Sequence, residues 1–536
     1  MAAERPNVVL IITDHHAWYR HQRPGEFQLR LPAYERLCTE GVRFDRAYAV
    51  CPLCSPARAS MMTGLFPSTH GLRWNTEATW LSENRSDFRP GTRLYSHYLA
   101  PRGYRNVYVG KWHCGHERLP ADFGVEGWSL PDYGKVYMSD AYRDYARRLG
   151  LADPQARIEH NLNHPEWAGR TLTLADPSPW TFMNGSGVLL GPPEAHEEQF
   201  VAGLAVDELR DLSRGGQPFS LVVSFWGPHQ PYFPTEPFAG AIDPKSIPEY
   251  PSFNDDYSGN KPLRHFVHRD LVHGGPRRLW PEWSTWQEVL ARAYEQQLQL
   301  DDAVGRVLRA LDETGLAENT LVIYVADHGD AVASHGGLWD KGSTYTEEVA
   351  RVPLVVRWPG RAPAGAATSA LVSNMDVTAT MIEAAGAAVP EGMHSRSLLP
   401  LLENPATSTV SPSPTPLPVG EGKGEGRRLG EGKGEGGRVG RPAGTRDHVI
   451  AEHNGHGDNL LQRIVVTERY KYVACLWDKD ELYDLTEDPY ELRNLIDAPA
   501  AAPVARDLRA LLIDHIERTN DRPARYRLLY ALKMGM

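Results

Sequence analysis

The chain has 536 residues, of which 41% are hydrophobic and 23% charged, and its formal net charge is -11. This length supports a large core and more than one domain, while the negative charge argues against a general nucleic-acid binder. Five scattered cysteines exclude a disulfide framework, and the apolar run after MAAERPN is too short for a signal peptide or a membrane span, so we expect a cytoplasmic protein without membrane partners.

Four apolar, β-branched segments predict buried strands, and each ends in residues that can carry chemistry. The segments are 7–13, followed by Asp14; 105–113, with Lys111 and His113; 219–229, with His229; and 319–329, with Asp327 and His328. Helical patterns lie between them, at 32–41, 197–212 and 286–315. Strands that alternate with helices predict a layered α/β sheet, in which ligands bind beyond the carboxyl ends of the strands. We therefore expect the four strand ends to converge on one site.

The pattern changes near the C-terminus. Residues 403–446 contain SPSPTPLP and two copies of GEGKGEG, a composition that cannot form a core and predicts a flexible linker or insertion. Strand-like segments at 447–453 and 462–475 follow, then a turn-rich stretch at 481–495 and a helical pattern at 501–521. We predict a domain at 1–402, a linker at 403–446 and a small α+β domain at 447–536.

The segment CPLCSPAR (51–58) has several interpretations. Cys51 and Cys54 could form a redox pair, contribute to a zinc site or be buried structural cysteines, but none of these explains Arg58. Ser55 predicts a helix N-cap and Pro56 the first helical residue. Cys54 would then lie at the positive end of a helix, with the forked donors of Arg58 one turn on. Such a place suits a sulfate or phosphate group.

Cys54-Ser55-Pro56-Ala57-Arg58 resembles the C-x-P-x-R signature of the sulfatase family. Further blocks resemble the family and stand in its order: PNVVLIITD, GKWHCG, GPHQPY, ADHGD, HGGLWDKGSTYTEEVARVPLVV and ELYDLTEDPYELRNL. The resemblance implies the alkaline-phosphatase-like fold. That fold is a large mixed, mostly parallel sheet sandwiched by helices, with a smaller C-terminal α+β domain that contains an antiparallel sheet.

The resemblance also implies how the site works. A separate maturation enzyme would convert Cys54 to formylglycine, whose hydrate carries two hydroxyls on one carbon: one attacks sulfur and the other later expels sulfate. The implied ligands of one divalent metal ion are Asp14, His15, the oxygen at position 54, Asp327 and His328. Calcium is the family's metal, but His15 stands where the family usually has Asp, Gln or Asn, so manganese or zinc becomes an alternative.

The remaining roles follow from the same resemblance. Arg58 and Lys111 would hold the nucleophile and the sulfuryl oxygens, and His113 would be the base of the second step. His229 and Lys341 would lie on the leaving-group side. The predicted reaction is hydrolysis of a small anionic sulfate monoester to an alcohol and sulfate. Alternatives are a phosphonate monoester or phosphodiester hydrolase with the same nucleophile, and an inactive binding protein.

Other residues receive weaker predictions. Four histidines are interpreted as structural: His16, His70, His116 and His335. Asn75 is a candidate for substrate contact. The aromatic-rich segments 117–195 and 240–285 are expected to shape the pocket, with internal packing or an oligomer contact as alternatives.

Overall fold

The structure is a computed structural model that describes residues 5–18, 27–79, 85–174, 183–403, 405, 445–456 and 460–535. The predicted linker at 403–446 lies almost wholly outside the described residues. Among the helices of the described residues, none is both long enough and apolar enough to cross a bilayer.

The strands alternate with helices for most of the chain. The strands are β1 (Asn7–Thr13), β2 (Val42–Phe44), β3 (Ala47–Tyr48), β4 (Arg105–Lys111), β5 (Glu126–Leu130), β6 (Gln155–Asn161), β7 (Thr171–Thr173), β8 (Gly185–Leu190), β9 (Phe219–Ser224), β10 (Thr320–Ala326), β11 (Arg351–Val352), β12 (Leu354–Arg357), β13 (Ala366–Thr368), β14 (Val372–Ser373), β15 (His448–His453), β16 (Gln462–Thr467), β17 (Tyr470–Cys475) and β18 (Glu481–Asp484). The longer helices are α1 (Pro32–Glu40), α2 (Cys54–Thr63), α3 (Asp140–Leu149), α4 (Glu197–Gly215), α5 (Leu263–Asp270), α6 (Trp283–Glu313), α7 (Asp376–Ala384), α8 (Ala502–Arg518) and α9 (Leu528–Met534).

The central sheet confirms the predicted mostly parallel architecture. Its eight strands run in the order β13-β2-β12-β10-β1-β9-β4-β5. The pairs around β1, β9, β4 and β10 are parallel, whereas β12 is antiparallel to both of its neighbours. The four strands predicted to carry functional residues are therefore adjacent, and their carboxyl ends meet at the middle of one edge.

Both faces of the central sheet are buried, which explains why β1 is apolar throughout. Val9 and Ile11 pack on one face with helices α1, α4 and α6, while Leu10 and Ile12 pack on the other face with α2 and α7. A strand that is covered on both sides has no polar face, so its side chains alternate between two apolar cores. Helices on both faces hold the strand ends rigidly.

The C-terminal unit is a four-stranded antiparallel sheet in the order β15-β16-β17-β18. The segment 462–475, predicted as one strand, is a hairpin of β16 and β17, and the turn-rich stretch at 481–495 begins with β18. Helix α8 packs on this sheet, and their shared apolar cluster includes Cys51, Leu53 and Ala57. The C-terminal unit thus buries the residues that directly precede helix α2, Cys51 and Leu53.

Candidate active site

The site begins where four adjacent parallel strands end. Asp14 follows β1, Lys111 ends β4, and Asp327 follows β10, while the segment after β9 leads to His229. The side chains of all four residues are at least 95% buried. The sheet order therefore brings together residues that are more than 300 positions apart in the sequence.

Helix α2 supplies the fifth component, but it begins earlier than predicted. It starts at Cys54 and not at Pro56, and the residue at its N-cap is Leu53, which donates no side-chain cap. The Oδ1 atom of Asn75 accepts the backbone N–H of Ser55 at 3.1 Å and serves as a cap from outside the helix. The prediction that Ser55 is the N-cap is wrong, because a distant side chain replaces the local one.

Cys54 and Arg58 are four residues apart, so they share one face of helix α2. The Nε atom of Arg58 donates to Oδ2 of Asp327 at 2.8 Å, and Nη1 donates to Oγ of Ser224 at 2.6 Å. The buried Nη2 atom has no hydrogen-bond partner among the described residues and lies 3.7 Å from Oδ2 of Asp14. Nη1 also donates to the carbonyl oxygen of Lys111 at 3.1 Å, so three hydrogen bonds fix the guanidinium and Nη2 stays available for a further group.

The family-implied ligands fit a divalent metal ion. Ligand atoms of Asp14, Cys54, Asp327 and His328 all lie within 4.8 Å of one another. The sulfur of Cys54 is 3.2 Å from Nε2 of His328 and 3.6 Å from Oδ1 of Asp14. The Nδ1 atom of His328 lies 2.8 Å from the carbonyl oxygen of Gly329. That carbonyl can only accept, so it keeps the proton on Nδ1 and leaves the Nε2 lone pair for a ligand.

His15 occupies a different position within the site. It forms a second group of possible ligands with Asp14, Cys54 and His229, apart from Asp327 and His328. Its Nε2 atom is 2.7 Å from Nζ of Lys341, and its ring centroid is 3.9 Å from that of His229. The structure thus places His15 between the metal group and the leaving-group residues.

The electrostatics of the site follow from burial and from the cations around it. Burial opposes the charge of Asp14, but Lys111, His229 and Arg58 hold its pKa well below the ordinary value. Burial and the neighbouring Asp14 raise the pKa of Asp327 to about 6. Burial lowers the pKa of His328 well below its ordinary value, which keeps the imidazole neutral, as a metal ligand must be.

The thiol groups do not have the properties of a redox pair. Burial raises the pKa of both Cys54 and Cys51, whereas a reactive dithiol needs a thiolate at neutral pH. Both cysteines are free. Cys51 packs in the apolar cluster below the C-terminal sheet, and Cys54 faces the acids and the imidazole of the site.

The predicted base, His113, has a partner that the sequence did not reveal. Its Nε2 atom lies 2.8 Å from Oε2 of Glu77, while its buried Nδ1 atom has no partner among the described residues. The ring of Tyr133, also missed, has its centroid 3.9 Å from Nζ of Lys111. Tyr133 also contacts the rings of His113 and His229, at centroid distances of 5.7 and 5.3 Å. Glu77 and Tyr133 do not belong to any recognised motif, so no local sequence signal predicted that they lie in the site.

Three residues of the site have a strained backbone. His15, His113 and Asp340 have φ angles of 61°, 51° and 61°, in the left-handed region that residues with a Cβ atom seldom adopt. Asp340 binds Nζ of Lys341 at 3.0 Å through Oδ1. The surrounding structure holds these residues in strained conformations that aim their side chains into the site.

The histidines predicted to be structural lie away from the cluster. His16 contacts Tyr324, His70 contacts Ser60, His116 pairs with Asp132, and His335 pairs with Glu348. Asn75 caps helix α2 through its Oδ1 atom, and its contact with substrate stays a prediction.

Comparisons with known proteins agree with this geometry. The family model described as Sulfatase matches residues 6–387. The chain is 27% identical over 532 residues to "Uncharacterized sulfatase YidJ" of Escherichia coli, covering 97% of this chain and 88% of the relative. It is also 27% identical to the choline-sulfatase of Rhizobium meliloti, covering 95% of this chain and 87% of the relative. Among solved structures, a phosphonate monoester hydrolase from Silicibacter pomeroyi has the same fold, with a TM-score of 0.72, 20% identity and 97% of each chain covered.

Proposed function

Because the chain belongs to the sulfatase family and is a sulfuric ester hydrolase, we propose that it cleaves a sulfate monoester with a formylglycine formed from Cys54. The observation that carries this proposal is the position of Cys54. It begins a buried helix, 3.2 Å from an imidazole and 3.6 Å from a carboxylate, and Arg58 follows one turn later. A residue at this position can contact both a metal ion held by the imidazole and the carboxylate and a substrate anion held by Arg58. The formylglycine needs both contacts, because it is to be a metal ligand and the nucleophile.

The residues around Cys54 would hold one divalent metal ion, which lowers the pKa of a nearby hydroxyl and neutralises charge on the sulfuryl oxygens. Asp14, Asp327 and His328 are the ligands that the donor set supports best. His15 would join them only if its imidazole released Lys341, which it now contacts at 2.7 Å. Whether His15 is a ligand decides which metal is bound, because an added imidazole favours manganese or zinc over calcium.

The side chains that would bind the sulfuryl group are already positioned. Arg58 has one unused guanidinium nitrogen, and Lys111 and Lys341 both lie buried at the same edge. Three cations around a tetrahedral oxyanion stabilise charge that grows in the transition state. His229 lies beside His15 and Tyr133, on the leaving-group side. Burial lowers its pKa well below the ordinary value, and its Nδ1 atom contacts the carbonyl oxygen of Gln230, so the neutral ring presents the lone pair of Nε2. His229 would give a proton to the departing alcohol only after Nε2 has taken one up.

His113 is suited to accept a proton in the second step. Since Glu77 is an acceptor, the short contact to Nε2 keeps the proton on that nitrogen. The lone pair is then on Nδ1, the buried atom without a partner. Burial lowers the pKa of His113, and Glu77 opposes this shift, so the ring is neutral and able to act as a base at neutral pH.

Mass spectrometry and an activity panel on one preparation test the proposal. The tryptic peptide 47–58 contains both Cys51 and Cys54. We expect residue 54 to react with aldehyde probes and Cys51 to alkylate as a thiol, and we expect turnover of an aryl sulfate to track the modified fraction. Fully active protein with an unmodified Cys54 thiol would overturn the proposal. Preferential turnover of a phosphonate monoester or a phosphodiester in the same panel would select the alternative activity.

Two further expectations accompany the proposal. A formylglycine-generating enzyme would be the maturation partner, so co-expression with such an enzyme should raise both the modified fraction and the activity. The expected cytoplasmic location stays a prediction that cell fractionation would test.

A further inference from the structure

A half-open cavity of about 70 Å³ lies beside Tyr133. Most of its lining is aromatic, aliphatic or thioether, and one member is a carboxylate. Lining residues include Tyr133, Tyr137, Met138, Met183, Phe233 and Glu197. A neighbouring cleft shares Tyr133, Met138 and Met183 and extends to Glu77, the partner of His113. Tyr133 therefore lines the cavity and also contacts Lys111, one of the residues that would bind the sulfuryl group.

Glu197 is the unusual member of this lining. Its carboxylate forms no hydrogen bond or ion pair within the described residues, although its backbone N–H donates to the hydroxyl of Tyr137 at 3.3 Å. Burial raises its pKa to about 7, and the charge of Lys111 opposes that shift. A carboxylate in an apolar pocket is costly unless a partner compensates it. Glu197 is half-buried, and no side chain of the described residues hydrogen-bonds to its carboxylate, so Lys111 compensates it only through its charge.

The residues next to Glu197 in the chain bring no positive charge to its carboxylate. The next residue, Glu198, is fully buried, and both of its carboxylate oxygens lack a hydrogen-bond partner among the described residues. His196 is neutral, because burial lowers its pKa to about 3. Lys135 lines the cavity but is exposed. Burial raises the pKa of Glu198 well above its ordinary value, so Glu198 is neutral and Glu197 is the carboxylate that a bound group would face. A cation beside Glu197 would favour its ionised form, whereas a second anion would oppose it.

We propose that this cavity binds a cationic alkylammonium group on the alcohol part of the substrate, with Glu197 as its counter-ion. This inference rests on the proposed sulfatase activity and names the class of alcohol. An alkylammonium group has an apolar surface and a positive charge, so it suits aromatic rings and one carboxylate together. A polyhydroxylated sugar would leave hydroxyl groups unpaired against this lining, and a second sulfate would face Glu197.

A matched pair of aryl sulfates tests the inference. The probes are 4-(trimethylammonio)phenyl sulfate and 4-tert-butylphenyl sulfate, which have the same shape and differ in charge. For each enzyme, kcat/KM for the charged probe is divided by kcat/KM for the neutral probe. This ratio is then compared between the wild type and Glu197→Gln. The difference in leaving-group reactivity cancels, because both enzymes meet the same two substrates. We expect the ratio to fall about tenfold in the variant, mainly through KM for the charged probe.

Glu194→Gln is the control, since Glu194 is an exposed acid three residues earlier, and its ratio should equal that of the wild type. Inhibition by phenyltrimethylammonium gives a second readout that needs no turnover, and it should weaken about tenfold in Glu197→Gln. An unchanged ratio and unchanged inhibition would overturn the inference while leaving the sulfatase activity intact. Failure of formylglycine-containing wild type to hydrolyse either probe or any other sulfate ester would instead overturn the proposed function.

Discussion

Two groups of buried acids and histidines in this protein have similar composition and different properties. Each brings its ligand atoms within 4.8 Å of one another. The first is the site cluster of Asp14, Cys54, Asp327 and His328, and the second is the C-terminal cluster of Glu452, His515 and Asp521. Composition alone therefore does not separate a catalytic site from a structural one.

The carboxylates of the C-terminal cluster have their hydrogen-bond partners within the protein. Glu452 accepts the backbone N–H of Ser68 at 2.7 Å, its hydroxyl at 2.9 Å, and lies 2.9 Å from Nε2 of His515. Both oxygens of Asp521 accept from Arg463. Ser68 lies in the segment that follows helix α2. Its hydrogen bonds to Glu452 therefore connect that segment to the C-terminal sheet. None of the side-chain N and O atoms of this cluster is among the buried atoms that lack a hydrogen-bond partner in the described part of the chain.

The site, in contrast, keeps unused polar atoms and strained backbone. Nδ1 of His15, Nδ1 of His113 and Nη2 of Arg58 are buried without hydrogen-bond partners among the described residues. Buried polar atoms are normally paired, so three such atoms in one cluster indicate that a ligand belongs there. The contrast between saturated and unsaturated donors separates the two groups, and the following predictions test it.

The largest expected effect comes from Cys54→Ala. We expect kcat for an aryl sulfate to fall about a thousandfold or more, because no other residue supplies the nucleophile. Cys51→Ala is the matched control, since Cys51 lies three residues earlier in an apolar cluster. It should keep kcat and lose about 1 kcal/mol of unfolding free energy. Loss of turnover in folded Cys51→Ala protein would restore the redox-pair interpretation.

The second comparison pairs Asp327→Asn with Asp521→Asn. Asp327→Asn should lower metal affinity about tenfold or more, together with activity, because it removes an anionic ligand. Asp521→Asn should keep the metal and kcat but destabilise the protein by about 3 kcal/mol, because Arg463 loses its buried counter-ion. Elemental analysis and urea unfolding measure the two effects. Equal metal content in both variants would remove Asp327 from the ligand set.

A third effect is the pH dependence of a buried ion pair outside the site, His335 and Glu348, whose atoms lie 2.9 Å apart. Burial opposes protonation of His335, but Glu348 and Asp255 raise its pKa to about 9. Its stabilisation is therefore complete below the unfolded pKa of about 6.5 and disappears as the pH rises through 9. His335→Gln should cost about 3 kcal/mol at pH 6 and much less above pH 9. A wild-type-minus-variant difference in unfolding free energy that is independent of pH would contradict this assignment.

The smallest effect is expected from the segment 406–444, outside the described residues, whose Gly-Glu-Gly-Lys repeats have nothing to bury. Replacing most of it with a short Gly/Ser bridge should leave kcat nearly unchanged and alter the unfolding free energy by less than about 1 kcal/mol. Thermal unfolding and kinetics of the shortened chain check this. A large loss of activity would mean that the segment contributes to the site.

The fold was predictable where a local rule applies. Apolar runs that stop at Asp or His mark the carboxyl ends of buried parallel strands, and β1, β4, β9 and β10 all follow this rule. The spacing of Cys54 and Arg58 places both on one helical face. The boundary of helix α2 was missed by two residues because its cap, Asn75, comes from outside the helix. The hairpin of β16 and β17 was missed because the apolar pattern continues through its turn.

The sequence by itself determined the family, the order of the motifs and the residues that meet at the strand ends, because these depend on short-range periodicity and on the rule that parallel strands share an edge. Only the tertiary structure decided which partners those residues have. Glu77 beside His113, Tyr133 over Lys111 and Lys341 against His15 join segments that no local pattern connects. Such contacts arise from how loops pack on a finished sheet, and their geometry exists only once the whole core has formed.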